Sequence, residues 1–250
     1  MRCLACDFDG TVFRNHDICA EDRAALAAWR AAGNLFGIVT GRGALTLLAE
    51  LRRFPVGYDF LLCNNGALLL DDKDREVASC PLEHDLAQAI LAHEIGQYCA
   101  SCAVFSGVDM YVLEGSTTWI NPVYTPQILS RAEAGRMDFV QISFGFYERE
   151  LSLSWGERLQ RDLDRQAKVQ CSLSVADVTA LHAGKASGIA WALQVMGWQP
   201  EDVIVAGDDG NDMEMLAAYE GYAMDNADET VRACAGRTVP SIAALIERVG

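Results

Sequence analysis

Four short, almost wholly apolar runs in this chain stop abruptly at small or polar residues. Arg2 to Phe8 stops at Asp7, Asp9 and Gly10, and Leu35 to Val39 at Thr40-Gly41-Arg42. Tyr58 to Cys63 stops at Asn64-Asn65-Gly66, and Asp202 to Ala206 at Gly207-Asp208. A strand that is apolar at every position is buried on both faces, as in a parallel sheet covered by helices. Helical stretches separate the runs: Glu21 to Ala32 with Gly33 placed to end it, Leu45 to Arg53, Ala186 to Met196, Met213 to Tyr219 and Glu229 to Ala233. The alternation predicts an α/β fold, a parallel-sheet core with helices on both faces.

The middle of the chain follows another pattern. Leu82 to Ala100 reads as helix, Val104 to Val108 and Met110 to Glu114 as strands, and Pro126 to Gly135 as helix. In Asp138 to Phe144, Phe139, Gln141 and Ser143 alternate with Val140, Ile142 and Phe144, which predicts a sheet with one wet face. Glu148 to Ala167 reads as helix, and Val169 to Val175 as one alternating strand. Residues 81–179 are therefore expected to form an inserted α+β domain, and residues 1–80 and 180–250 one discontinuous core.

Composition narrows the function classes. A net charge of −15 with no Lys/Arg cluster repels nucleic acid and anionic membranes. No apolar run approaches the ~20 residues that cross a bilayer. The N-terminus shows no apolar signal core, so a cytoplasmic location is expected. Such a field also repels phosphate esters, so an enzyme acting on one needs a metal ion and placed cations. The nine cysteines include Cys3-Leu4-Ala5-Cys6 and Cys99-Ala100-Ser101-Cys102, a spacing that can bind zinc. Cys3 and Cys6 lie in an apolar strand and Cys99 and Cys102 straddle a predicted helix end, so reduced, buried thiols are the better expectation.

The chemistry sits where the strands end. Asp7 and Asp9 are two apart, so both side chains reach the same edge of the sheet, and ligands of open α/β sheets bind beyond the strands' carboxyl ends. Gly207-Asp208-Asp209-Gly210-Asn211-Asp212 is a second acidic strand end. Either alone is unremarkable as a solvated turn, but together they gather about five negative charges, which calls for a hard divalent cation such as Mg2+. Thr40-Gly41-Arg42 offers a hydroxyl and backbone N–H groups as a phosphate cradle, although by itself Thr40 would be only a helix cap. Lys185 stands in the first turn of a helix, against its dipole, unless carboxylates or phosphate lie nearby.

Asp7-Phe8-Asp9-Gly10-Thr11, Thr40-Gly41-Arg42, Gly184-Lys185 and Gly207-Asp208-x-x-Asn211-Asp212 resemble, in order, the four motifs of the haloacid dehalogenase superfamily. Asn65-Gly66-Ala67, Asn226-Ala227 and the position of the insert are similar to its Cof-type, subclass IIB phosphatases. The resemblance implies a Rossmann-like core and a C2B-like cap that sets specificity. It implies Asp7 as nucleophile, Asp9 as acid and then base, and Thr40 and Lys185 on the phosphoryl oxygens. Mg2+ would be held by Asp7, Asp208 and the main-chain carbonyl of Asp9, with Asp212 in support. Asn211 would orient Lys185 or a metal ligand, Gly41 would belong to the cradle, and Arg42 and Asn65 would contact substrate or cap. Two positions depart from the usual pattern: Ala186 after Lys185, and Asp209. His182 is expected to pack rather than catalyse.

A small-molecule phosphate ester is the expected partner, a sugar or polyol phosphate first, with Tyr111, Trp119, Asn121 and Tyr124 facing the sugar. A monomer or homodimer is compatible with the sequence. Rival readings are a phosphomutase of the same superfamily and a non-catalytic binding protein on the same fold. An ATPase is disfavoured, since no G-x-x-x-x-G-K-[ST] loop occurs.

Overall fold

The computed structural model describes residues 1–116 and 126–250. The first part runs β1 (Cys3–Cys6), α1 (Ala20–Ala31), β2 (Leu35–Val39), α2 (Ala44–Arg53), β3 (Phe60–Cys63), β4 (Leu68–Asp71) and β5 (Glu76–Ser79). The middle adds α3 (His84–Ala92), β6 (Ser101–Ser106), β7 (Asp109–Leu113), β8 (Gln127–Leu129), α4 (Arg131–Ala134), β9 (Gln141–Gly145), α5 (Arg149–Asp162), β10 (Ala167–Ser172) and β11 (Val175–Ala180). The last part holds α6 (Lys185–Met196), β12 (Val203–Gly207), α7 (Met213–Ala218), β13 (Glu220–Met224), α8 (Glu229–Ala235), β14 (Thr238–Val239) and α9 (Ile242–Val249).

The larger sheet has the order β14-β13-β12-β1-β2-β3-β4-β5. Its first six strands are parallel, and β4 and β5 are an antiparallel extension. Alternate residues of each central strand feed opposite layers, because successive side chains point to opposite faces. Leu4, Cys6, Phe36 and Ile38 pack with Leu26, Trp29, Leu47 and Leu245, which belong to α1, α2 and α9. Cys3, Ala5, Leu35 and Val39 pack with Ile189, Met215 and Val231 from α6, α7 and α8. Full burial of a side chain such as Leu26 contributes about 2 kcal/mol. Cys3 and Cys6 thus sit in different layers and do not converge on a common metal. All nine cysteines are free thiols.

The smaller sheet has the order β10-β11-β9-β6-β7-β8 and is antiparallel apart from β7 with β8. Cys102, Val104, Ile142, Phe144 and Val178 on one face are buried beneath Ile90, Leu91 and Leu159 of α3 and α5. The other face rests on the carboxyl ends of the larger sheet, where Ala103, Phe105, Met110 and Val112 meet Ala67 and Ala183.

Four expectations need correction here. The polar face of β9 is not wet: Gln141 and Ser143 are each 2% exposed, since the core covers them. Tyr111 does not face the cavity. Period-2 alternation puts it on the helix-covered side of β7, partly buried, and gives the cavity Met110 instead. Pro126 to Gly135 is not one helix but the short strand β8 followed by α4 (Arg131–Ala134), which Ser130 opens with a capping box. Val169 to Val175 is not one strand either, because the chain turns at Leu173, whose φ is +52°, and returns as β11. Trp119, Asn121 and Tyr124 lie outside the described residues.

One glycine ties the layers together. Gly66, at the turn after β3, has φ +93°, and a Cβ there would lie 2.3 Å from the carbonyl oxygen of Gly184, the residue that caps α6. Gly66→Ala is expected to lower stability by roughly 2–4 kcal/mol, combining a disfavoured backbone with overpacking. Denaturant unfolding should show an earlier midpoint at an unchanged slope.

Candidate active site

The strand ends place the motifs on one edge. β1 ends just before Asp7, β2 just before Thr40, and β12 at Gly207, while α6 begins at Lys185. Gly10 lets the first loop fold tightly: its φ is +79°, and a Cβ would lie 2.0 Å from Asp208 Oδ2. Only a glycine admits that approach.

At the floor, the Lys185 ammonium donates to Asp7 Oδ1 at 2.6 Å, to Asp212 Oδ1 at 2.5 Å and to Asn211 Oδ1 at 3.3 Å. Lys185 is 1% exposed. Burial alone would lower its pKa, but the charges of Asp212 and Asp7 prevail and raise it, so it stays an ammonium ion. Asp7 is pushed well above the usual carboxylate range by burial, a shift that Lys185 opposes and that Asp212 and Asp9 reinforce. Asp212 Oδ2 accepts the main-chain N–H groups of Asp208 and Asp209, at 2.9 and 3.1 Å, so both its oxygens are occupied by protein donors. It holds the loop and Lys185 from below.

Asp208 accepts from Thr11 Oγ1 at 2.7 Å and from Asn226 Nδ2 at 3.1 Å. Asn226 also donates to the Gly10 carbonyl, at 3.0 Å, and so braces both acidic loops. Burial raises the Asp208 carboxyl to about 6 despite the Thr11 hydrogen bond, with Asp212 and Asp209 adding to the rise. Carboxylate oxygens of Asp7, Asp208 and Asp212 lie within 4.8 Å of one another. Crowded, desolvated, oxygen-only donors fit a hard divalent cation. Asp9 stands apart: both its oxygens accept from Arg42, each at 2.6 Å, and the Arg42 guanidinium lies over the Phe8 ring at 5.2 Å. Thr40 Oγ1 accepts the Arg42 N–H at 3.1 Å, which shapes the Thr40-Gly41-Arg42 strip.

Above this floor is a cavity of about 680 Å3, roofed on one side by the smaller sheet. Asp7, Asp9, Thr40, Asp208 and Asn211 reach it from below, and Gly41 and Arg42 line its side. Phe105, Met110, Leu173 and Val175 give it an apolar wall, beside the polar groups of Gln141, Ser143 and Asp177. Asn65, expected at substrate or cap, does not line the cavity but reaches the inserted sheet. It is fully buried, and its Nδ2 donates to Asp177 Oδ2 at 3.0 Å. Burial brings the Asp177 carboxyl to about 6, held back by hydrogen bonds from Ser143 and Asn65. On the rim, Ser172 Oγ donates to Asp209 Oδ2 at 2.8 Å, and Arg149 lies 3.9 Å from Asp209. Sequence reasoning placed Thr11 and Asn226 in motifs without giving them a role, and missed Asp177 and Arg149 as members of the site. The polar alternation of Gln141 and Ser143 marks the face of the insert's sheet that contributes, although the sequence alone assigns that face to solvent.

The haloacid dehalogenase-like hydrolase family matches residues 4–244, and the chain belongs to that family. It is 27% identical to the pyridoxal phosphate phosphatase YbhA of Escherichia coli (strain K12), over 98% of this chain and 97% of the relative. It is 21% identical to the 5-amino-6-(5-phospho-D-ribitylamino)uracil phosphatase YwtE of Bacillus subtilis (strain 168), over 93% and 90%. Among solved structures, the subclass IIB sugar phosphatase BT4131 superposes with a TM-score of 0.78 at 22% identity, covering 100% of this chain and 98% of the other. The fold is that of the family's capped members, and the protein is an enzyme, a hydrolase of the phosphatase kind. No helix among the described residues is long and apolar enough to cross a membrane.

Proposed function

We propose that this enzyme is a Mg2+-dependent phosphatase that moves the phosphoryl group of a small metabolite first to Asp7 and then to water, residues 81–179 serving as its cap. The observation that carries the reading is the Asp7–Lys185 contact of 2.6 Å beneath the cavity, with the Asp208 carboxylate within 4.8 Å of that of Asp7.

Asp7 Oδ attacks phosphorus, the bond from phosphorus to the leaving oxygen breaks, and Asp9 gives that oxygen a proton. Asp9 then takes a proton from the water that attacks the aspartyl phosphate, which releases orthophosphate and restores Asp7. To meet the leaving oxygen, Asp9 must yield at least one of the two N–H groups that Arg42 now gives it. Thr40 and the Gly41–Arg42 backbone hold the phosphoryl oxygens, and Lys185 keeps its charge beside them. Asp7, Asp208 and the Asp9 carbonyl would hold Mg2+, backed by Asp212, and the ion would neutralise charge on the transferring group.

A sugar or polyol phosphate suits the polar side of the cavity. The apolar wall of Phe105, Met110, Leu173 and Val175 favours a second reading, a planar ring such as that of pyridoxal 5′-phosphate. Phosphate release from sugar, polyol, nucleotide and pyridoxal phosphates, with Mg2+ and with EDTA, tests all of this. Release that EDTA stops and Mg2+ restores is expected, and the order of substrates chooses between the two classes. Equal release in EDTA would remove the metal from the reading, and no release from any ester would remove the hydrolase.

A further inference from the structure

The smaller sheet spends three buried polar side chains where an apolar contact would be simpler. Asp177 and Ser143 are direct partners across β11 and β9, and Gln141 is the next inward-facing residue of β9. Ser143 Oγ donates to Asp177 Oδ1 at 2.5 Å, and Gln141 Nε2 donates to Ser143 Oγ at 2.9 Å. The outlet of this network is the core. Asp177 Oδ2 accepts Asn65 Nδ2 at 3.0 Å, and Gln141 lies 3.4 Å from both Asn65 Nδ2 and the Gly41 carbonyl.

Asn65 is joined from behind to the phosphate strip. Its main-chain N–H donates to the Thr40 carbonyl at 2.9 Å, and that of Asn64 donates to the Arg42 carbonyl at 2.9 Å. Both asparagines are in the left-handed region, with φ of +54° and +53°, a conformation held only where the surroundings fix it. The route from cap to cradle is therefore continuous: Ser143, Asp177, the Asn65 side chain, the Asn65 main chain, Thr40.

We propose that Asn65 and Asp177 are positioning residues whose hydrogen bond, made across the seam between the two sheets, sets the Thr40–Arg42 strip in its phosphate-binding shape when the cap is shut. The inference rests on the phosphatase reading. It assigns Asp177 to the phosphoryl end of the reaction rather than to recognition of the leaving group. Loss of the bond then slows every ester alike, because the strip meets the phosphoryl group and not the remainder of the substrate.

Four full-length proteins test it: the wild type, Asn65→Asp, Asp177→Asn, and the two changes combined, which exchange amide and carboxylate across the same gap. Each is assayed with Mg2+ well below its melting temperature, on p-nitrophenyl phosphate and on the best metabolite of the panel, and each is melted. Asn65→Asp sets two carboxylates face to face and is expected to lower kcat by about 10–100-fold on both esters, with KM changing less than about threefold. The exchange should restore kcat to within about threefold of wild type and recover much of the lost melting temperature, a non-additivity that independent sites do not show. A rise in KM for the metabolite alone, with p-nitrophenyl phosphate untouched, would make Asp177 a leaving-group contact and overturn the proposal. So would a double variant no better than the sum of its parts. If Asn65→Asp fails to fold, Asp177→Ser removes the acceptor without adding charge and carries the same kcat comparison. Wild type without phosphatase activity would sink the hydrolase reading itself, and the melting cycle would then decide whether the contact exists.

Discussion

Asp7→Asn should abolish phosphate release, with kcat falling by a factor on the order of 10^4–10^6, as when other enzymes lose their nucleophile. The amide has the shape of the carboxylate but no electron pair that forms a stable phosphoryl ester. The fold should tolerate the change, since burial holds the Asp7 carboxyl well above its usual range. A group whose folded pKa is raised binds its proton longer in the folded state, so at neutral pH the ionised form costs stability. The melting temperature of Asp7→Asn in EDTA is therefore expected to equal or exceed that of the wild type. Lys185 still has Asp212 at 2.5 Å and Asn211 at 3.3 Å. Turnover above about one part in a thousand of wild type would mean that phosphate is not passed through Asp7.

Lys185→Met should strike both activity and stability. The ammonium is 1% exposed and links Asp7 to Asp212, themselves 5% and 0% exposed. Without it, two buried carboxylates face each other with no cation, a loss that typically costs about 3–5 kcal/mol. Loss of its charge at the phosphoryl group should take a further factor of about 10^2–10^3 from kcat in the protein that does fold. The pH dependence has a definite sign. With the cation gone nothing opposes the rise that burial imposes on the Asp7 carboxyl, and a raised carboxyl loses its penalty as it protonates, so the deficit in denaturant unfolding should shrink as pH falls below neutral. Mg2+ should restore part of the stability and none of the lost turnover. Full stability at neutral pH would show that Lys185 is not the counter-ion of this pair.

The parts of the molecule that were legible in the sequence are those whose cause is local. Cys3 to Cys6 and Val203 to Gly207 are apolar because both faces of each strand are covered, and that signature survives in one dimension. Asp7, Thr40, Lys185 and Asp208 meet because each lies at the end of such a strand or the start of the helix that returns to one, so the edge they share follows from the pattern. The cap was less legible. Tyr111 and Met110 are neighbours in sequence, and which of them faces the cavity depends on a parity fixed by pairing with Phe105 and Val104. Gln141 and Ser143 look solvated because their alternation says only that one face is polar, and nothing local reveals a second sheet beneath it. Asn65 and Asp177 are separated by 112 positions, so their contact is a property of two sheets meeting.

The neighbours of β1 arrive at very different times during synthesis. Cys3 pairs with Leu35 on one side and with Val203 on the other. A nascent chain emerging from the ribosome can settle β1 against β2 almost at once, yet the opposite flank of this fully apolar strand has no partner until β12 has been translated. Through that interval the strand presents an open row of backbone donors and acceptors, the kind of edge that invites chaperones or pairing with another nascent copy. The loop that carries Asp208 follows directly behind β12, so the strand that seals this flank also brings in the last acidic cluster. Premature termination anywhere before Val203 would yield a chain that keeps this sticky edge and lacks Asp208, so one stretch of synthesis both seals the sheet and completes its acidic edge.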